Sequence, residues 1–194
     1  MFNTSPTNTL SLNLSHKTDI QSNEIQKQKF LQFKLGQRKQ SDNLNFQGDI
    51  SLLDAALVTE VITISSEDIL PVPQMFYCVL GIYSWRSEML WIVDLENLLG
   101  YPPPLIPEAN QPELFVMVIQ FQGQSIGLVV SGIDNLVEHS IEKFKPSSLE
   151  LFSEDLMPFL QGYFTTAENK IVMLIDAEEI FNFFSIKTEF NYSR

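Results

Sequence analysis

The side chains able to do chemistry are few, and their spacing says more about structure than about catalysis. Asp94 and Asp176 hold matching positions, each closing a β-rich run (Leu90-Trp91-Ile92-Val93 and Val172-Met173-Leu174-Ile175) ahead of a short helical stretch. Two carboxylates so matched could act as general acid and base. The same placement has a structural reading: an Asp between strand and helix accepts hydrogen bonds from the unsatisfied N–H groups of the first turn and suits the positive end of the helix dipole. Glu179, three residues after Asp176, gives the pattern of a capping box. Both aspartates are accordingly read as caps.

His16 lies in a polar N-terminal stretch, and His139, following Glu138 at the end of a strand, reads as a surface residue. With two His and one Cys in the chain, no metal-ligand spacing occurs and no metal is expected. Ser131-Gly132 lacks the surroundings of a nucleophile elbow, and the eight glycines form no phosphate cradle. The reading is a non-catalytic chain without a cofactor. Trp85 and Arg86, between Ser84 and Ser87 at a hairpin tip, offer the chemistry of recognition instead, since Trp and Arg are common interface anchors. Arg86 is the only Lys or Arg between Lys39 and Lys143, an isolated cation in an acidic field, with a pairing to Glu88 as the plain alternative.

The elements that must position these residues are mostly short strands. Phe30 to Leu35 alternates and stops at Gly36, and a polar loop runs from Gln37 to Gly48. Further runs follow at Leu57–Ile64, Val79–Trp85, Met89–Val93, Phe115–Phe121, Ser125–Val130, Ile133–Val137, Leu160–Thr165 and Ile171–Ile175. Helical pieces are brief: Leu95–Leu99, Ala177–Phe184 and a stretch around Ser153–Met157. This is barrel or sandwich patterning without βαβ alternation.

The chain also echoes itself. Gly81-Ile82-Tyr83 leads through a hairpin to Asp94, and Gly162-Tyr163-Phe164 leads likewise to Asp176, with the aspartates 82 residues apart and the starting strands at Phe30 and Phe115 85 apart. A repeat this long implies two β subdomains of like topology rather than a solenoid. Pro102-Pro103-Pro104, Pro107 and Pro112 stiffen the crossover, a hinge near 100–113. Residues 1–28 are too polar to offset their ordering entropy and read as a flexible tail, with a domain over 29–186 and a C-terminal tail over 187–194.

Charge narrows the function. Residues 1–40 carry six Lys/Arg against two Asp/Glu, and residues 41–194 six against twenty-two, a net of −16 for the body. A surface of that sign repels phosphate backbones and anionic leaflets, so nucleic acid is not the expected partner. No apolar run approaches the ~20 residues of a membrane span and no signal-peptide pattern opens the chain, so a soluble cytoplasmic protein without membrane insertion is expected. The lone Cys78, beside Phe76 and Tyr77, reads as a small core hydrophobe.

The stretch from Pro71-Val72-Pro73 through Val79-Leu80-Gly81-Ile82-Tyr83-Ser84-Trp85-Arg86-Ser87 to Leu90-Trp91-Ile92-Val93-Asp94-Leu95 resembles the CheW family signature: a proline-bounded lead-in, V-x-G-V, N-L-R-G, then V-V-D-L. Val58-Thr59-Glu60-Val61 is similar to the family's V-x-E-V strand. Trp before the Arg and Leu-Trp before the Asp strand resemble variants associated with cyanobacterial taxis, phototaxis and type IV pilus systems. The resemblance implies a mainly β, CheW-like fold of two pseudo-repeated five-stranded β-barrel subdomains with a few short helices. It also implies a scaffold that joins a methyl-accepting chemoreceptor to a CheA-type histidine kinase, with Val58, Glu60, Arg86 and Ile133 facing the receptor. Ser84 replaces the usual Asn and Ser87 the usual Gly, which puts the hairpin turn in question. Two other readings stay open: a diverged module of this fold that binds kinase or pilus regulators without receptor coupling, and a small β-barrel enzyme or ligand-binding protein using Asp94 or Asp176.

Overall fold

The computed structural model describes residues 26–36, 48–101 and 113–191. Most of the polar N-terminal stretch, the loop after Gly36, the proline-bearing crossover and the last three residues lie outside the described residues. The strands, in chain order, are β1 (Lys27–Leu35), β2 (Asp49–Asp54), β3 (Val58–Ser65), β4 (Val79–Trp85), β5 (Glu88–Asp94), β6 (Glu113–Phe121), β7 (Gln124–Val130), β8 (Gly132–Ser140), β9 (Lys145–Pro146), β10 (Leu160–Thr165) and β11 (Ile171–Ile175). Two helices, α1 (Leu95–Leu98) and α2 (Ala177–Asn191), follow β5 and β11.

The strands form two curled sheets in the orders β8-β1-β2-β11-β10-β9 and β3-β6-β7-β5-β4. The fold is the mainly β, two-part architecture expected, yet the halves of the sequence and the sheets of the structure do not coincide. Each sheet combines the first two strands of one half, β1 and β2 or β6 and β7, with the later strands of the other half. The registers repeat: Phe33 faces Ile133 in one sheet as Ile119 faces Val58 in the other, and Ser51 faces Met173 as Ile126 faces Trp91. Even β9 has a counterpart, because Lys145 faces Tyr163 as the isolated bridge residue Leu70 faces Ile82.

Three apolar clusters follow from this interleaving. One lies inside each curled sheet, around Phe30, Leu52, Phe164 and Leu174 and around Ile64, Leu90, Val116 and Val118. The third, between the sheets, is built on Phe33, Leu53, Cys78, Met117, Leu128 and Ile175. Each fully buried large side chain contributes about 1.5–3 kcal/mol relative to an exposed one. Cys78 is wholly buried in the shared core.

Several local expectations need correction. No separate strand was expected over residues 49–54, and β1 starts at Lys27, ahead of Phe30, because β8 pairs with it up to Lys27↔Ser140. The stretch around Ser153–Met157 is turn, and a single 3-10 turn forms at Met157–Phe159, where Pro158 cannot donate to a longer helix. α2 continues past Phe184 to Asn191, into the stretch read as a tail, since no glycine or proline follows Gly162 to stop it. His139 is half-buried, stacked on Phe164 with ring centroids 4.6 Å apart and edge-on to Phe30 at 6.1 Å.

Two predictions follow from the packing. A Cβ at Gly81 would collide with the Leu70 carbonyl, and one at Gly162 with the Lys145 carbonyl, so Gly81→Ala and Gly162→Ala should each lower unfolding stability by roughly 2–3 kcal/mol in denaturant titrations. Burial, with Lys143 adding to it, lowers the His139 pKa below the ordinary 6.5. Its neutral form then contributes stability above the ordinary value and loses it as pH falls through 6.5 toward the depressed folded value. Thermal melts between about pH 8 and about pH 5 should fall more steeply for the wild type than for His139→Phe.

Candidate functional site

The site is built on the β4–β5 hairpin. Trp85 faces Glu88 as the last ladder pair, leaving Arg86 and Ser87 as a two-residue turn with φ of 46° and 66°. Positive φ at both positions is the type I′ turn, whose twist matches that of the flanking strands. The turn therefore forms despite Ser87 standing in a glycine position, at the steric cost of two non-glycine residues in left-handed geometry. Ser84 takes no place in the turn and pairs with Met89 in the ladder.

Arg86 is turned back over the barrel mouth. Its Nη2 lies 3.1 Å from Glu60 Oε2 on β3, and its guanidinium sits over the Trp85 ring, 4.9 Å from the centroid. The indole Nε1 of Trp85 donates to the same Glu60 oxygen at 2.9 Å. Trp85 is not the exposed tip residue expected: it is half-buried and packs beside Ile62, Leu80 and Tyr83 on the inner cluster of its sheet. The partner weighed for Arg86 also changes, from Glu88 to Glu60. The Arg86 side chain keeps 61% of its surface exposed and Glu60 33%, so the pair is open to a partner.

Of the other residues singled out, Val58 begins β3, two positions before Glu60, and Ile133 lies on β8 of the opposite sheet. The two are counterparts, each half-buried against the shared core. Asp94, 7% exposed, accepts from the Asn97 N–H at 3.1 Å, and Asp176 accepts from the Glu179 N–H at 3.2 Å. They stand at the ends of β5 and β11, in different sheets, each bound to its own helix start. The capping-box pattern is not completed: the Asp176 N–H donates to the Phe159 carbonyl at 2.8 Å, and Glu179 accepts from Asn182.

Sequence reading missed one buried polar contact. Glu96 on α1, 2% exposed, accepts from the Ser131 hydroxyl at the β7–β8 junction, tying α1 to the residue just before the strand of Ile133. Nothing in the local pattern around either residue announces it. A shallow groove of about 430 Å³ opens at the end of α1, lined by Tyr77, Asn97, Tyr101, Asp155 and Phe183 among others. Burial first, and then the hydrogen bond from its hydroxyl to Asp49 Oδ2 at 2.7 Å, raise the Tyr101 pKa, so it stays a neutral donor. Among the described residues no group of three His, Cys, Asp or Glu side chains could hold a metal, and no helix is long and apolar enough to cross a membrane.

The comparisons with known proteins agree with this fold. Residues 29–184 match the family model of the CheW-like domain. The chain belongs to the CheW-like family. Among solved structures it is similar to the scaffolding protein TtCheW from Thermoanaerobacter tengcongensis, with TM-score 0.60 and 18% sequence identity over 77% of this chain and 89% of that one. That likeness is one of fold. A search of curated proteins returns no match.

In this CheW-like domain the strained turn can be relieved. Replacing Ser87, at φ 66°, by Gly should raise stability by about 0.5–1 kcal/mol, read as a higher denaturant midpoint with an unchanged slope.

Proposed function

We propose that this chain is a non-catalytic adaptor that couples a methyl-accepting chemoreceptor to a CheA-type histidine kinase, working in the cytoplasm at membrane-bound receptor arrays. The observation that carries the proposal is the exposed Arg86, held by Glu60 and Trp85 at a hairpin tip of a CheW-like fold. Glu60 and Arg86, 26 residues apart in the sequence, are two of the four residues that the family resemblance assigns to receptor contact, and they meet at one place. Val58 lies two positions before Glu60 on β3, and Ile133 is its counterpart on the other sheet.

The mechanism is linkage: receptor states that contact this face differently shift the bound kinase between its active and inactive arrangements by the difference in their interaction free energies. Interfaces of this kind bury about 1,000–2,000 Å², with a few anchors carrying most of the energy. The output we assign is taxis, including phototaxis, or type IV pilus motility, on the strength of the Trp85-Arg86 and Leu90-Trp91 variants of the signature.

Capture of tagged chain from its own cells, followed by mass spectrometry, tests the reading. Wild type should recover a CheA-type kinase and a chemoreceptor, and Arg86→Ala should lose the receptor alone, by about tenfold or more. An Arg86→Ala chain that keeps the receptor, or a wild type that recovers neither protein, overturns it.

A further inference from the structure

We infer that Trp85 is the positioning residue of this face: its indole N–H fixes the Glu60 carboxylate while its ring carries the Arg86 guanidinium, presenting a partner with an oriented and internally neutral donor–acceptor pair. The inference rests on the proposed receptor contact at Arg86.

An exposed ion pair between two long side chains contributes little, because ordering both offsets most of the attraction. Here a third group supplies the order. Trp85 is half-buried and packed against the inner cluster of Leu90, Val116 and Val118, and both polar contacts converge on one atom, Glu60 Oε2, at 2.9 Å from the indole nitrogen and 3.1 Å from Arg86 Nη2. The guanidinium, 4.9 Å above the same ring, gains a cation–π contact. The signature that this chain resembles has leucine at this position, which could supply neither the N–H nor the ring. Trp85 therefore does here what a leucine cannot.

The arrangement also states what it recognises. Glu60 and Arg86 offer a partner a carboxylate acceptor and a guanidinium donor side by side, 33% and 61% exposed. A lone carboxylate on the partner would be repelled by Glu60, and a lone ammonium by Arg86. A group that donates and accepts at once, a side-chain amide or a hydroxyl, fits both.

A mutant cycle decides the matter, with the cytoplasmic signalling hairpin of a chemoreceptor from the same cells as the binding probe and the full chain as its partner. Trp85→Phe keeps an aromatic face and removes the N–H, and should weaken binding by about 3–10-fold, the range of one hydrogen bond. In a Glu60→Ala background the same change should cost less than about twofold, because no carboxylate remains for the indole N–H to position and Phe still offers Arg86 an aromatic face. In Glu60→Gln, whose amide oxygen still accepts the indole N–H, the dependence on Trp85 should return. A structural role alone would not distinguish these two backgrounds. Losses that add fully in Glu60→Ala would show Trp85 touching the partner directly and overturn the inference. A Trp85→Phe chain that binds like wild type overturns it too, and the receptor reading survives if Arg86→Ala still fails to bind. Should Arg86→Ala bind normally, both fall.

Discussion

Parallel pairing of β5 with β7, and of β11 with β2, is the constraint on which the rest of this molecule depends. Each pairing joins strands from opposite halves of the chain, so neither half can complete a sheet alone. The shared core, with Phe33 and Leu53 from the first half and Met117, Leu128 and Ile175 from the second, exists because the strands interleave. The matched bulges, one residue before Gly81 and one before Gly162, let a third segment reach the edge of each sheet, with Leu70 bridging one and Lys145 the other.

Interleaving also explains the position of the proposed interaction face. β3 lies at one end of its sheet and β4 at the other, and as the sheet curls Glu60 meets the β4–β5 hairpin through Trp85 and Arg86. In the opposite sheet the related edges meet through rings, His139 on β8 stacking on Phe164 of β10. One pair of strands is bridged by a polar cluster and the other by an aromatic stack on the buried Phe164.

Electrostatics set the tone of the surface without holding the fold. The chain carries −12 overall, and its described ion pairs, such as Lys27–Glu138 and Lys170–Glu168, join exposed side chains that each contribute about 0–1 kcal/mol. Arg86 stands apart because its partners are ordered by packing, so its orientation is fixed in a field that otherwise repels anions.

Local signals by themselves determined much. Val79–Trp85, Leu160–Thr165 and Ile171–Ile175 are strands over the residues that alternation and turn signals marked, and the echo from Gly81 to Asp94 and from Gly162 to Asp176 foretold two like halves. Receptor-facing candidates were legible only through the signature that Glu60 and Arg86 share with a family. Tertiary structure alone decided which strands share a sheet, because hairpin pairing is local whereas β5–β7 and β2–β11 pairing joins distant segments by burial that no short window records. It revealed β2, whose Ser51, Leu52 and Leu53 are all buried and so show no alternation. It also replaced Glu88, two residues from Arg86, with Glu60, 26 residues away, since an ion pair is chosen by distance in space and not along the chain.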